Sequence, residues 1–409
     1  MGTPLTLARA PLAEGEVATG TASRWLDAAL ALDRWMAERG DEGHDPFDFL
    51  SSPRVQRLTF GSRWGAVAWT QLGKRSPVQL RGVFGVPRAR NAKGIGLAVA
   101  AQVRLARVVA GDGPRARARE LVDWLATQRA EGYPGAGWGY PFPWANRDFH
   151  APVGTPSSVV TAFVGHALLD AADAFGWEEC GQLAAEGGDF LRVALNRLPG
   201  SDGSFCWSYT PLDRRGVHNA SLLAASLVAR LGRVAGAGDG VEEAMGAARF
   251  TVRAQRADGS WPYGVARRDA WVDSFHTSYN LVALRTIGEA AGSAEFEGAI
   301  ERGLDYWRRA FLVGPAVSYF PDTPYPVDLH AVAHSILTLL TFRDRMPDAV
   351  ATAERLAAWC LEEMRDPEGF FYYQRHRRWT NRLPYMRWIQ AWMLLALSEL
   401  AAVVRAPSA

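Results

Sequence analysis

Lysine is nearly missing from this chain. It stands only at Lys74 and Lys93, against forty-three arginines, and so small a supply argues against Schiff-base or other amine chemistry. Cysteine is scarce too. Cys180, Cys206 and Cys360 lie far apart and form no CxxC pair, which excludes a disulfide framework and fits a reducing compartment. No stretch of about 18 uninterrupted apolar residues offers a membrane span, and "MGTPLTLARAPLAEGEVATG" at the start lacks the apolar segment of a secretion signal. Excess charge is absent as well: Lys+Arg 45 against Asp+Glu 43 leaves a net +2, with the basic residues scattered rather than striped. GxxxxGK[ST], GxGxxG on a strand–turn–helix unit and GxSxG are missing. These absences predict a cytoplasmic protein with no nucleic-acid partner, no integral membrane segment and no cofactor.

What is present is a large apolar supply with a hidden period. The 409 residues are 48% hydrophobic and include 16 tryptophans, enough for a large core. Glycine-aromatic turns recur: "GAGWGYPF", "DGSFCWSY", "DGSWPYG", "GPAVSYF" and "EGFFYYQ", whose Gly137, Gly203, Gly259, Gly314 and Gly369 are spaced by about 55 to 66 residues. A weaker member at 81–96 makes six. After each turn comes a polar loop, a small-and-apolar segment of helical period, then a more charged amphipathic segment. In "SAEFEGAIERGLDYWRRAFL", for example, Phe296, Ile300, Leu304 and Trp307 share a face. Gly292 and Ser293 read as the stop of one helix and the cap of the next.

Six helical hairpins in series form either an open solenoid or a closed double ring. The last segment, "YMRWIQAWMLLALSELAAVV", is too apolar for a solenoid cap, so closure is expected. The fold class is therefore all-α, a toroid of helical hairpins over 81–409 with a helical N-terminal extension over 1–80. In such a ring the inner helices are parallel and their polar first turns meet at one mouth. "DSFHTSYNL", polar before an apolar helix body, is one of them.

Superposing the mouths collects the candidates. His218 and His276 recur near helix starts, where the dipole favours neutral imidazole, and Tyr279, Tyr385, Asp213 and Asp273 stand beside them as acids or bases. Arg214, Arg375 and Arg387 are candidate anion clamps. Asn219, Asn280, Asp328 and His330 supply hydrogen bonds, and Tyr140, Trp144, Tyr209, Trp261, Tyr263 and Trp388 supply aromatic platforms. The turn tyrosines are expected to seal the mouth, bonding backbone groups through their hydroxyls. Arg147 falls in the same set, whereas His166, inside an apolar run, reads as a satisfied core residue. His330 and His334 at i, i+4 lack the glutamate of HExxH, and no metal site is assigned.

The paired helices and glycine-aromatic turns resemble the (α/α)6 toroids of carbohydrate-active enzymes: glucuronyl C5-epimerases, polysaccharide lyases, unsaturated uronyl hydrolases and N-acylglucosamine 2-epimerases. More narrowly, "FVGHALLDA", "YTPLD" with "VHNASLL", "DGSWPYG", "DSFHTSYNL" and "LPYMRWIQAWM" are similar to a bacterial family of surface-polysaccharide gene clusters whose members often carry an aminolevulinate dehydratase name. That name fits badly, since such dehydratases resemble β/α barrels with paired catalytic lysines. The resemblance spans roughly 80–400. It implies a sugar or oligosaccharide as partner, and proton abstraction from a uronate by an epimerase or lyase. Alternatives are a hydrolase using paired aspartates, a terpene-type cyclase, for which the DxDD acid motif is absent, and a non-catalytic glycan-binding toroid.

Overall fold

The computed structural model describes residues 20–145, 150–314 and 316–405; Arg147 and all but the last residue of the N-terminal stretch quoted above lie outside them. The chain begins with α1 (Gly20–Ala37), continues through the short helices α2 (Pro53–Leu58), α3 (Arg63–Arg75) and α4 (Arg81–Phe84), and then enters the repeat. The first five hairpins are α5 (Ala92–Leu105) with α6 (Gly113–Thr127), α7 (Ser158–Phe175) with α8 (Glu178–Val193), α9 (His218–Ala235) with α10 (Gly238–Arg253), α11 (Ser274–Ala291) with α12 (Glu297–Phe311), and α13 (Leu329–Thr341) with α14 (Ala349–Glu363). The last inner helix, α15 (Ala391–Arg405), is entered through a π-helical turn at Met386–Gln390.

Packing between neighbours closes the ring. α5 lies against α7, α7 against α9, α9 against α11, α11 against α13, α13 against α15, and α15 returns to α5. Each of the first five inner helices carries its own hairpin partner outside it, and α15 is covered by α1. The expected N-terminal extension thus contributes the sixth outer helix. Ring closure is an apolar-burial solution, since every inner helix is hydrophobic on most of its circumference and finds an apolar neighbour on each side. In α9, for instance, Ala220, Leu222, Ala224, Ala225, Leu227 and Ala229 are fully buried.

Two segments, Ser158–Phe175 and Met386–Arg405, are long and apolar enough to cross a membrane by composition, although charged residues interrupt both. Both stand in the inner ring with most of their residues buried, so packing within the ring accounts for their apolarity. The three cysteines are free and buried.

The glycine-aromatic turns link one hairpin to the next. Gly259 has φ +93°, and a side chain there would run into the carbonyl of Arg302, so only glycine fits. The tryptophan that follows is structural: Trp138 donates to the Leu125 carbonyl at 2.9 Å and Trp261 to the Thr251 carbonyl at 3.1 Å, both buried. The turn tyrosine does something else. The first N–H of an inner helix has no partner within that helix, and here it donates to the backbone carbonyl of the next unit's tyrosine: Ser158 to Tyr209 (2.9 Å), His218 to Tyr263 (3.1 Å), Ser274 to Tyr319 (3.1 Å) and Leu329 to Tyr373 (3.2 Å). The repeat therefore ties each helix start to the following turn by the tyrosine's carbonyl rather than by its hydroxyl. One boundary differs from expectation: Gly292 is a left-handed helix stop, but Ser293 is no cap, because α12 starts four residues later after Phe296.

Candidate active site

All six inner helices deliver a residue from their entrance to one cavity of about 530 Å³: Lys93 from α5, Val159 from α7, Asn219 from α9, His276 and Tyr279 from α11, His330 from α13, and Arg387 with Trp388 from the π turn before α15. Extra residues in a π turn re-aim side chains. The linking loops add Tyr140, Phe142, Trp144, Tyr209, Arg215, Tyr263, Asp269, Trp271 and Tyr319 as walls, while Phe47 and Lys74 come from the segment before α5. The polar mouths do meet.

His276 is the best-placed base. Asp273 caps α11, accepting the His276 backbone N–H at 2.9 Å through one oxygen and holding the imidazole Nδ1 at 2.8 Å through the other. The aspartate is 1% exposed, so it fixes the ring and its tautomer from inside the protein and leaves Nε2 with no protein partner among the described residues. Tyr263 stacks on Trp271 at 4.2 Å, and both meet the imidazole edge-on.

One helical turn on, the Tyr279 hydroxyl and His330 Nε2 share a hydrogen bond of 2.8 Å. Burial holds the phenol well above its usual pKa. Burial holds His330 well below its own. Both are neutral, and His330 Nδ1 is buried without a partner. The Tyr279 and His276 rings lie 6.0 Å apart.

The cation inventory reverses an expectation. Arg387 makes a bidentate pair with Asp45 (2.5 and 2.8 Å) at 3% side-chain exposure, so its charge is already satisfied. Arg215 is paired with Asp269 at 2.7 Å. Lys74 and Lys93, the chain's whole lysine complement, both line the cavity, and neither has a carboxylate within ion-pairing distance among the described residues. The poor supply of lysine is concentrated where chemistry would occur.

Several candidates stand elsewhere. His218 faces α10, bonding Thr251 Oγ1 at 3.3 Å, and burial lowers its pKa to about 4. Tyr385 is buried and accepts from Arg81 at 2.8 Å, in a network that anchors the N-terminal segment through Asp48 and the Asp45 carbonyl. Asp213 shapes its own loop, accepting from the Thr210 and Arg215 backbone N–H groups at 2.7 and 2.9 Å. Arg214 is exposed, and its neighbour Arg215 takes the cavity position instead. Arg375 bonds Thr380 within a short strand pair. Trp261 is core. Asp273, Asn280 and Asp328 lie behind the wall: Asn280 keeps a buried, unpartnered Oδ1, and Asp328 caps α13 and accepts from Trp388 Nε1 at 3.1 Å and Gln374 Nε2 at 2.7 Å. Tyr140, Trp144, Tyr209, Tyr263, Asn219, Tyr279, His276, His330, Arg387 and Trp388 line the cavity wall. Sequence reasoning missed Asp45, Lys74, Lys93, Arg215, Trp271 and Phe275; the rarity of lysine beside so much arginine was the available signal for two of them. Among the described residues, no three His, Cys, Asp or Glu side chains gather as a metal site.

No family model matches the chain, and no curated protein is detectably similar in sequence. Solved structures are similar in fold. An unsaturated glucuronyl hydrolase specific for heparin superposes with TM-score 0.64 at 12% identity, covering 94% of this chain and 98% of its own. The cellobiose 2-epimerase of Bacillus thermoamylovorans B4167 gives 0.59 at 10% identity (76% and 88% covered), and a D-mannose isomerase 0.57 at 12% (76% and 87%). The fold is the (α/α)6 toroid, with the cavity at the end where the inner helices begin. Fold alone does not carry a reaction.

Proposed function

We propose that the chain is an enzyme that moves a proton on a sugar, at a carbon beside a carbonyl or carboxylate, with a uronate-containing glycan of surface-polysaccharide metabolism as the favoured substrate. The observation that carries this reading is the Asp273–His276 pair, opening on a cavity walled by tyrosine and tryptophan. His276 Nε2 takes the proton, Asp273 steadies the imidazolium that forms, and the charge developing on the substrate oxygen meets the Lys74 ammonium. Tyr279, a neutral phenol backed by His330, returns a proton. Aromatic walls suit the apolar faces of a pyranose, and the toroids named above act, by their names, on sugars.

Other readings fit less well. A hydrolase with paired aspartates needs two carboxylates facing the substrate, but among the described residues the cavity wall carries only Asp269, tied to Arg215. A carbocation cyclase would place its cation beside the Lys74 ammonium. A purely binding toroid has no need of an oriented imidazole.

Solvent deuterium exchange tests the proposal. Wild-type protein incubated with uronate-containing and neutral sugars in D2O should place deuterium on carbon, read by mass spectrometry, and His276→Ala should not. Exchange without cleavage marks an epimerase or isomerase, and cleavage with a new ultraviolet absorbance marks a lyase. Silence across the sugar panel removes the reading.

A further inference from the structure

We propose that Lys93 acts as a neutral amine in the cavity and forms a Schiff base with the carbonyl of an open-chain sugar. This rests on the proton-transfer reading above and assigns the electron sink for it. Lys93 is 3% exposed and lines the cavity. Its Nζ lies over the rings of Phe163 (4.2 Å), Trp392 (5.3 Å) and Tyr279 (5.5 Å), contributed by three other inner helices.

Three observations favour the amine. Lys93 is the second residue of α5, whose N-cap Asn91 accepts the Lys93 backbone N–H, and the other inner helices also begin at this cavity. Helix N-termini are positive, so the converging ends disfavour a further cation. The charged and titratable groups around it do little to hold a proton on it. Arg387 repels the ammonium, His330, His334 and Tyr279 are uncharged, and Asp45 is engaged by Arg387, so burial followed by Arg387 moves the lysine well below its usual value. The third observation is compositional. A chain that uses arginine forty-three times has lysine only in this cavity. Arginine serves as a fixed charge, whereas lysine can give up its proton and become a nucleophile.

The step balances without an oxidant or a cofactor. The Nζ lone pair forms a C–N bond to the carbonyl carbon as the C=O π electrons move to oxygen, and one proton passes from the nitrogen to that oxygen to give a neutral carbinolamine. With one further proton from water the hydroxyl leaves as water, and a protonated imine remains. That cation acidifies the adjacent C–H for His276, the resulting enamine is reprotonated, and hydrolysis frees both sugar and amine.

Reductive trapping tests this on a chain whose only amines are Lys74, Lys93 and the N-terminus. Wild-type protein, Lys93→Met and Lys74→Arg are treated with reducing sugars and cyanoborohydride, and mapped by mass spectrometry. In parallel, formaldehyde with cyanoborohydride reports each amine as pH is raised. The expected result is a reduced sugar adduct on Lys93 in wild type and Lys74→Arg, with methylation of Lys93 preceding that of Lys74 on the alkaline climb. Deuterium exchange that proceeds with no adduct on Lys93 overturns the amine and leaves His276 in place. An adduct without exchange upholds the amine and removes the proton-transfer reading. If Lys93 is methylated only at the pH of an ordinary lysine, it is a fixed cation and the inference fails.

Discussion

Two carboxylates near opposite ends of the ring, Asp170 with 18% of its side chain exposed and Asp328 fully buried, have opposite fates. Asp170, on α7, sits in a saturated network: Arg230 at 2.7 Å, Arg104 at 2.5 Å, Glu399 on the far side of Arg104 at 2.9 Å, and His166 bonded to both Arg230 and Ser226 at 2.9 Å. Burial alone would raise the Asp170 carboxyl, but Arg104 and Arg230 together hold it well below the usual carboxylate range. Asp328, at the mouth, has no cation within ion-pairing distance among the described residues. Burial lifts it to about 6 despite bonds from Gln374, the His330 backbone N–H and Trp388. In the cavity wall Asn219 Oδ1 and His330 Nδ1 are buried without a partner. One end uses polar groups to lock neighbouring helices. The other leaves their hydrogen-bonding capacity unspent, which is what a site awaiting a ligand requires.

The largest way to sharpen this contrast is His276→Ala. Loss of a general base should reduce exchange by about 10²- to 10⁴-fold while thermal unfolding barely moves. A large fall in melting temperature instead would make His276 a structural residue like His166.

Asp170→Ala is the converse. Removing the shared partner of two arginines should cost about 3 to 5 kcal/mol, toward the lower end because the arginines keep 21% and 32% of their side-chain surface. Denaturant unfolding measures it. Asp170 is depressed in the folded state, so its stabilisation is present above the unfolded carboxyl value and drains away as pH falls toward the folded one.

Asp328 should run the other way. Its folded value of about 6 exceeds the usual 3.8, so the folded protein binds the extra proton. Its contribution is complete below about pH 4 and lost as pH rises through about 6, by at most about 3 kcal/mol. Asp328→Asn keeps a competent cap and should flatten that slope in unfolding curves recorded from pH 4 to 7. An unchanged slope would show that the proton is bound elsewhere.

The ring was legible because its signals are periodic. Glycine turns, helical spacing and an apolar last segment repeat or terminate a pattern, and each hairpin repeats the same burial problem. The site was legible only where the repeat passed through it, as at His276 and Tyr279. What was missed comes from outside the period: Asp45, which takes Arg387 out of anion binding, and Lys74, which no repeat position announces. Equivalent positions also diverge. His218 and His276 both open inner helices, but His218 is its helix's first residue and turns to Thr251, whereas His276 is the third and is held to its cap by Asp273. Two residues along a helix rotate a side chain by more than half a turn. Sequence similarity between mouths cannot resolve that difference without the cap.

The smallest effect belongs to His166. Burial, then Arg230, lower its pKa to about 3, so it is a neutral ring accepting or donating two fixed hydrogen bonds. His166→Leu should lose about 1 to 2 kcal/mol, because Arg230 and Ser226 forfeit a partner they cannot fully replace from water, while deuterium exchange continues at the wild-type rate. Since the network around His166 is complete, nothing there is left to engage a substrate. If exchange in His166→Leu fell as far as in His276→Ala, with folding intact, saturation would no longer separate the locking end of the ring from the reacting one.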